Sequence, residues 1–215
     1  MENYKTRLKK EWEKFRSMTF AEKRWYIWEY YKVHIGILAL IVFVIGSFVN
    51  TRFINPPPEE YLYIAWVGIP VFEYQLREMS YELSVITDNP ERQEVVVSDY
   101  TATGNRQMDE AIRIRFMAFL QLGSIDAMIT TREGLYAAEG ERFIRPAEGV
   151  LEYLEVATER LVSNEYQQII AISLENSPFF QQFDIEPYDL YLCVIINASR
   201  FYEISKALEV ILYGA

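Results

Sequence analysis

Sulfur and imidazole are almost missing from this 215-residue chain, which has one Cys, Cys193, and one His, His34. A lone Cys cannot close an internal disulfide, so disulfide-stapled classes are excluded. Nine Gly exclude a collagenous chain, and abundant Leu, Ile, Val and Phe exclude a wholly disordered one. No G-x-S-x-G, P-loop, S-x-x-K or metal-spaced His or Cys cluster occurs, so hydrolysis and phosphoryl transfer have no visible machinery and no metal or cofactor is expected. Lysine is the scarcest where the chain is longest, since only Lys206 follows Lys32.

What is present is divided unevenly. Residues 1–32 hold nine Lys or Arg against five Glu, a surplus of four positive charges; with −10 overall, the remainder carries −14. An acidic main body repels phosphate, which argues against nucleic acid as a partner. Between the two regions, Val33 to Thr51 contains no Asp, Glu, Lys or Arg. Nineteen helical residues at about 1.5 Å each reach roughly 28 Å, enough to cross a bilayer core. The spacing therefore predicts a transmembrane helix over 33–54. Basic residues on its N-terminal side put 1–32 in the cytoplasm and the acidic body outside, in a single-pass cell-membrane protein. The basic region is too long for a secretory signal, and no small-x-small cleavage site or lipobox Cys follows the apolar run.

Within 1–32, Tyr4, Leu8, Trp12 and Phe15 recur at spacings of four, four and three among basic residues, which predicts a basic amphipathic helix. It is expected to lie on anionic membrane lipid, to dock on a cytoplasmic partner or to serve only as a topology determinant. Thr19 followed by Glu22 is a capping box for a second helix running into the membrane, with Trp25 and Trp28 at headgroup level. Gly36, Ala39, Gly46 and Ser47 give the span a small-residue face, and His34 is an interfacial polar residue.

Asn55-Pro56-Pro57-Pro58-Glu59-Glu60 forms a stiff spacer (55–60), and 61–215 is one body of sufficient size for a core. Its apolar pattern alternates between periods. Strands are expected at 61–67, 94–98, 125–129, 169–174 and 190–196. Helices are expected at 71–86, around 108–119 with an Asp109–Arg113 pair, at 133–138, along Val150, Leu154, Ala157 and Leu161, and after a Ser199 cap. The class is α/β, with a mostly parallel sheet covered by helices.

The segments FRSMTFAEKRWYIWEYYKVHIG (15–36), SIDAMITTREGLYAAEG (124–140) and YQQIIAISLENSPFFQQFDIEPYDLYLCVIINASRFYEISKALEVIL (166–212) carry a resemblance. The chain resembles small single-pass membrane proteins of monoderm bacteria whose outer domain is similar to type II periplasmic solute-binding proteins. The resemblance implies that fold and a tie to solute capture, although the chain is much smaller and has no lipid-anchor Cys.

In an open α/β sheet a ligand site lies beyond the carboxyl ends of the strands. The candidates there are Ser98, Asp99, Tyr100 and Thr101 after one strand, Thr130, Thr131 and Arg132 after another, and Asn197 and Ser199 after the last. Each also suits a cap or turn. Two functions compete. One is a non-enzymatic accessory or scaffold for another membrane protein such as a transporter. The other is capture of a small solute or peptide for transport or sensing.

Overall fold

The computed structural model describes residues 4–214, without the side chains of Tyr4, Lys5, Arg7, Leu8, Ile27 and Tyr30. It consists of two units, divided between Pro57 and Pro58.

In the first unit, α1 (Tyr4–Ser17) and α2 (Phe20–Val49) are separated at Met18–Thr19. The break has a local cause. Thr19 N donates to the Glu22 carboxylate at 2.8 Å while Glu22 N donates back to Thr19 Oγ1 at 3.4 Å, so two amides at the start of α2 are satisfied reciprocally. α2 runs into a π-helical turn, Asn50–Ile54, and three prolines end the helical run. Within this stretch Tyr31–Ile54 is long and apolar enough to cross a membrane, and none of it is buried.

The second unit contains, in order, β1 (Glu59–Val67), α3 (Glu73–Leu83), β2 (Gln93–Asp99), α4 (Arg106–Leu122), β3 (Ala127–Thr131), α5 (Arg132–Gly140), β4 (Ile144–Arg145), α6 (Glu148–Leu151), β5 (Leu161–Ser163), β6 (Ile169–Ser173), α7 (Pro178–Gln181), β7 (Leu190–Ile195) and α8 (Phe201–Tyr213). One sheet holds all seven strands in the order β2-β1-β3-β7-β6-β5, with β4 alongside β6 on the same flank of β7. β1 pairs in parallel with β2 and β3, whereas β7 is antiparallel to β3, β4 and β6, and β5 to β6. Five strands thus point one way and β5 and β7 the other, a mixed sheet that is mostly parallel in strand direction.

Alternation along the strands separates two cores. Leu62, Ile64 and Trp66 face one side with Met79 and Leu83 of α3, Phe180 of α7, and Leu208 and Ile211 of α8. Tyr63, Ala65, Met128 and Cys193 face the other with Leu120 of α4 and Leu135 of α5. Trp66 packs edge-on against Phe180 and donates from Nε1 to Ile69 O at 2.7 Å.

Three local expectations are corrected. The stripe from Val150 to Leu161 is not one helix: α6 stops at Leu151, and Leu161 and Val162 pair with Ile172 and Ala171 as an edge strand. The apolar residues reach one core from a loop and a strand, which imitates helical spacing, and Arg160 Nη1 holds the turn by donating to Ser173 O and Glu175 O at 3.2 and 2.8 Å. Asp109 does not pair with Arg113. It accepts from Thr103 N and Oγ1 at 2.6 and 2.9 Å, and Arg113 joins Glu110 at 3.0 Å. Ser199 does not cap α8, whose first turn follows Arg200 without a side-chain cap.

β2 is the sheet's outer strand, yet its outward amides are closed from within. Val97 N donates to Ser80 Oγ at 2.9 Å, Val95 N to Ser84 Oγ at 3.0 Å and Gln93 N to Asn89 O at 2.8 Å. Ser84→Ala leaves the buried Val95 amide without a partner and is expected to cost about 1–3 kcal/mol. Urea unfolding of residues 58–215 measures it; a change within 0.3 kcal/mol, roughly the scatter of such comparisons, would show that the amide finds water instead.

Candidate functional site

The chain leaves β1 through α3 to reach β2 on one side and then crosses through α4 to β3 on the other. The direction of winding reverses at β1, and the loops leaving β1, β2 and β3 meet at one end of the sheet. Gly68 is required there. Its φ is +101°, and a Cβ on it would sit 3.2 Å from Thr131 Oγ1, so only glycine lets the loops after β1 and β3 approach this closely.

Gly68 N donates to Thr101 Oγ1 at 3.1 Å, and Thr101 N donates to Asp99 Oδ1 at 2.7 Å. Tyr100 turns inward, where its hydroxyl meets that of Tyr63 at 2.8 Å; burial first, then this hydroxyl, raises its phenol well above the ordinary value. Arg115 lies 4.6 Å over the Tyr100 ring and donates to Asp99 O at 2.6 Å. Ser98 stays in the β2 ladder opposite Ala65.

Thr131 caps α5, its Oγ1 accepting from Gly134 N at 3.3 Å. Thr130 is fully buried, and its hydroxyl has no partner among the described residues. It lies beneath the first turn of α5, where a Cβ at Gly134 would come within 2.0 Å of its Oγ1. Arg132 turns to the start of β7: Nε donates to Asp189 Oδ1 at 3.1 Å, Nη2 donates to the Tyr191 hydroxyl, and the guanidinium sits 5.2 Å over that ring. Hydrogen bonding to Asp189 raises the Arg132 pKa, and burial raises that of Tyr191.

The structure therefore brings Asp99, Tyr100, Thr101, Thr130, Thr131 and Arg132 to one end. It does not bring Asn197 and Ser199 there. β7 runs against β3, so Leu190 lies opposite Thr131 while the residues after Ile195 emerge at the far end. Asn197 Nδ2 donates to Leu120 O at 3.1 Å and closes the end of α4; Ser199 is exposed beside it. Gly68, Gly134, Asp189 and Tyr191 were absent from the sequence-based set. Gly68 directly after an apolar strand was a legible signal, whereas Asp189 and Tyr191 reach the site only through β7.

The far end holds its own polar group. Asp126, 3% exposed, accepts from Tyr63 N at 3.0 Å and from Arg200 Nη1 at 3.1 Å, with Glu60 3.8 Å from Arg200. Burial, the largest cause, raises the Asp126 and Glu60 carboxyls, Arg200 opposing. Cys193 is wholly buried, its thiol pushed up to about 12. No group of three or more His, Cys, Asp or Glu among the described residues could hold a metal ion.

Of the residues expected at a membrane surface, Trp12, Trp25 and Trp28 are about two-thirds exposed. Phe15 is half-buried between the rings of Trp12 and Tyr26 rather than turned outward with Trp12. The side chains of Tyr4 and Leu8 lie outside the described residues.

Comparison of the chain with protein-family models, curated proteins and solved structures found no match.

Gly134→Ala is expected to destabilise the domain by about 1–3 kcal/mol by crowding Thr130, and Thr130→Ala to relieve part of that cost when combined with it. A coupling near zero in a double-mutant unfolding cycle would mean that α5 shifts instead.

The pH dependence has a definite sign. A raised folded-state carboxyl binds its proton more tightly than the unfolded chain, so the stability it contributes is full below about pH 4 and is lost as pH rises through the folded value. The difference in unfolding free energy between the parent domain and Asp126→Asn should therefore move against the parent from pH 4 to 7. A difference that moves the other way would show that Arg200 outweighs burial.

Proposed function

We propose that the chain is a non-enzymatic accessory or scaffold protein of the cell membrane. The apolar helix over 33–54 spans the bilayer, residues 1–32 are cytoplasmic, and the domain from Pro58 lies outside and engages another membrane protein such as a transporter. The observation that carries this reading is the state of the sheet end: Thr101, Thr131 and Arg132 are bonded to Gly68, Gly134, Asp189 and Tyr191 of the same single-sheet domain. A solute-binding protein closes two lobes over its ligand; one sheet whose polar loops bond to one another supplies a finished surface instead.

A relation to type II periplasmic solute-binding proteins belongs to the same proposal. It is supported by the strand, cap and helix over Ala127–Gly140 and by a buried closing strand followed by the Asn197 turn and α8. Membrane anchoring is supported by the unburied apolar helix and by the basic surplus before it. Solute capture is the second reading, favoured by the Thr130 hydroxyl beneath the first turn of α5, which has no partner among the described residues.

Topology and function are tested together. With Cys193 buried, Glu59→Cys is expected to be labelled from outside intact cells and Lys9→Cys only after permeabilisation. The full chain in mild detergent is expected to co-purify with one membrane protein in fixed ratio. Residues 58–215 are expected to show no specific thermal shift against amino acids, short peptides, sugars or anions. A shift on the order of 5 °C at a hundredfold excess over Kd, lost in Thr131→Ala, would overturn the scaffold reading in favour of capture.

A further inference from the structure

The first unit carries a surface that its own packing leaves open. α1 covers only one side of the first turns of α2: the Tyr26 hydroxyl donates to Glu11 Oε2 at 2.9 Å, the Tyr26 ring lies 6.2 Å from Phe15, and Lys14 Nζ stands 5.9 Å over it. To the side of Tyr26, Phe20, Arg24 and Trp28 follow one another at four-residue spacing with Trp25 beside them, on one helix face. Phe20 is 84% exposed, Trp25 64% and Trp28 65%. With Phe15 and Lys23 these residues line an open concavity of about 820 Å³. No ion pair engages Lys23 or Arg24 among the described residues; the ion pair nearby joins Lys32 to Glu29 at 3.8 Å.

Three features decide the occupant. Three large exposed rings on one face form an apolar patch that water leaves poorly satisfied, so the occupant has an apolar part. Two cations stand among those rings without carboxylate partners among the described residues, Lys23 Nζ 5.7 Å over the Phe15 ring, in a region with a surplus of positive charge, so the polar part is anionic and a cationic headgroup is repelled. The concavity adjoins the start of the unburied apolar Tyr31–Ile54 stretch, where amphipathic rings settle at headgroup depth. Its volume suits a headgroup with its upper methylenes rather than a bare ion.

We propose that this concavity binds an anionic phospholipid, with the phosphate between Lys23 and Arg24, the upper acyl chain against Trp25 and Trp28, and Phe20 beside the headgroup. The site rests on the anchoring proposed above for the apolar helix over 33–54.

The full chain is reconstituted in phosphatidylcholine nanodiscs doped with increasing fractions of phosphatidylglycerol carrying brominated acyl chains, and tryptophan fluorescence is followed. Trp66 is buried in the other unit, so the quenched signal comes from Trp12, Trp25 and Trp28. Quenching is expected to saturate at a fraction about thirtyfold lower than with brominated phosphatidylcholine, the preference that two basic side chains at an anionic surface provide. Lys23→Gln with Arg24→Gln is expected to remove that preference while both lipids still quench, and Trp12→Phe is expected to preserve it. Because the altered side chains are exposed or half-exposed, helicity by circular dichroism should not change. Equal saturation by the two lipids, or a preference that survives the double substitution, overturns the site and leaves the anchor intact. Absence of quenching by either lipid overturns the anchor and the site together.

Discussion

The second unit depends on the strand that comes last in the chain. All six residues of β7 are buried, and the strand is bonded to β3 on one flank and to β6 and β4 on the other. A buried strand cannot leave its amides and carbonyls unpaired, so β3 and β6 have no stable arrangement without residues 190–195 between them. β7 then carries Arg200 to the buried Asp126 and brings Asp189 and Tyr191 to Arg132. Both polar clusters of the domain are therefore consequences of one antiparallel insertion. Its pairing with Ala127–Thr131 spans some sixty residues of chain, which makes assembly of the sheet a slow, non-local event.

The parts of the fold legible in the sequence are those fixed by short-range repetition. The Thr19–Glu22 box, the apolar runs of β1, β3, β6 and β7 and the amphipathic α3, α4 and α8 follow from spacing alone. The stretch from Val150 to Leu161 was misleading because a loop and an edge strand crossing one core can place apolar residues three and four apart without a helix. The candidate site divides along the same line. Asp99, Thr101, Thr130 and Thr131 were legible as residues at the ends of parallel strands. Asn197 and Ser199 were assigned to that end because strand direction does not appear in an apolar run; LYLCVII reads the same whichever way it points. Thr130 and Gly134 form a complementary pair, a hydroxyl filling the space a Cβ would occupy, which only coordinates reveal.

The first unit follows a different rule. Its second helix is organised by which face is already taken. Tyr26 turns to α1, so the aromatic and cationic residues beside it remain exposed, and Phe15 leaves the outward stripe that periodicity assigned to it. An amphipathic pattern specifies an apolar side without naming what that side meets, and here part of it meets a neighbouring helix.

Ser80 of α3 and Ser84 directly after it have a consequence for how copies of the domain can meet. An outer strand with free amides is a template for the same strand on a second molecule, and a membrane tether of the kind proposed would confine copies to a plane where encounters are frequent. With Gln93, Val95 and Val97 already donating inward, that template is interrupted along most of β2, and β5 at the opposite edge is only three residues long. Crowding such molecules in two dimensions therefore does not nucleate ribbons, and any assembly has to form through side chains, which a sequence can tune one residue at a time.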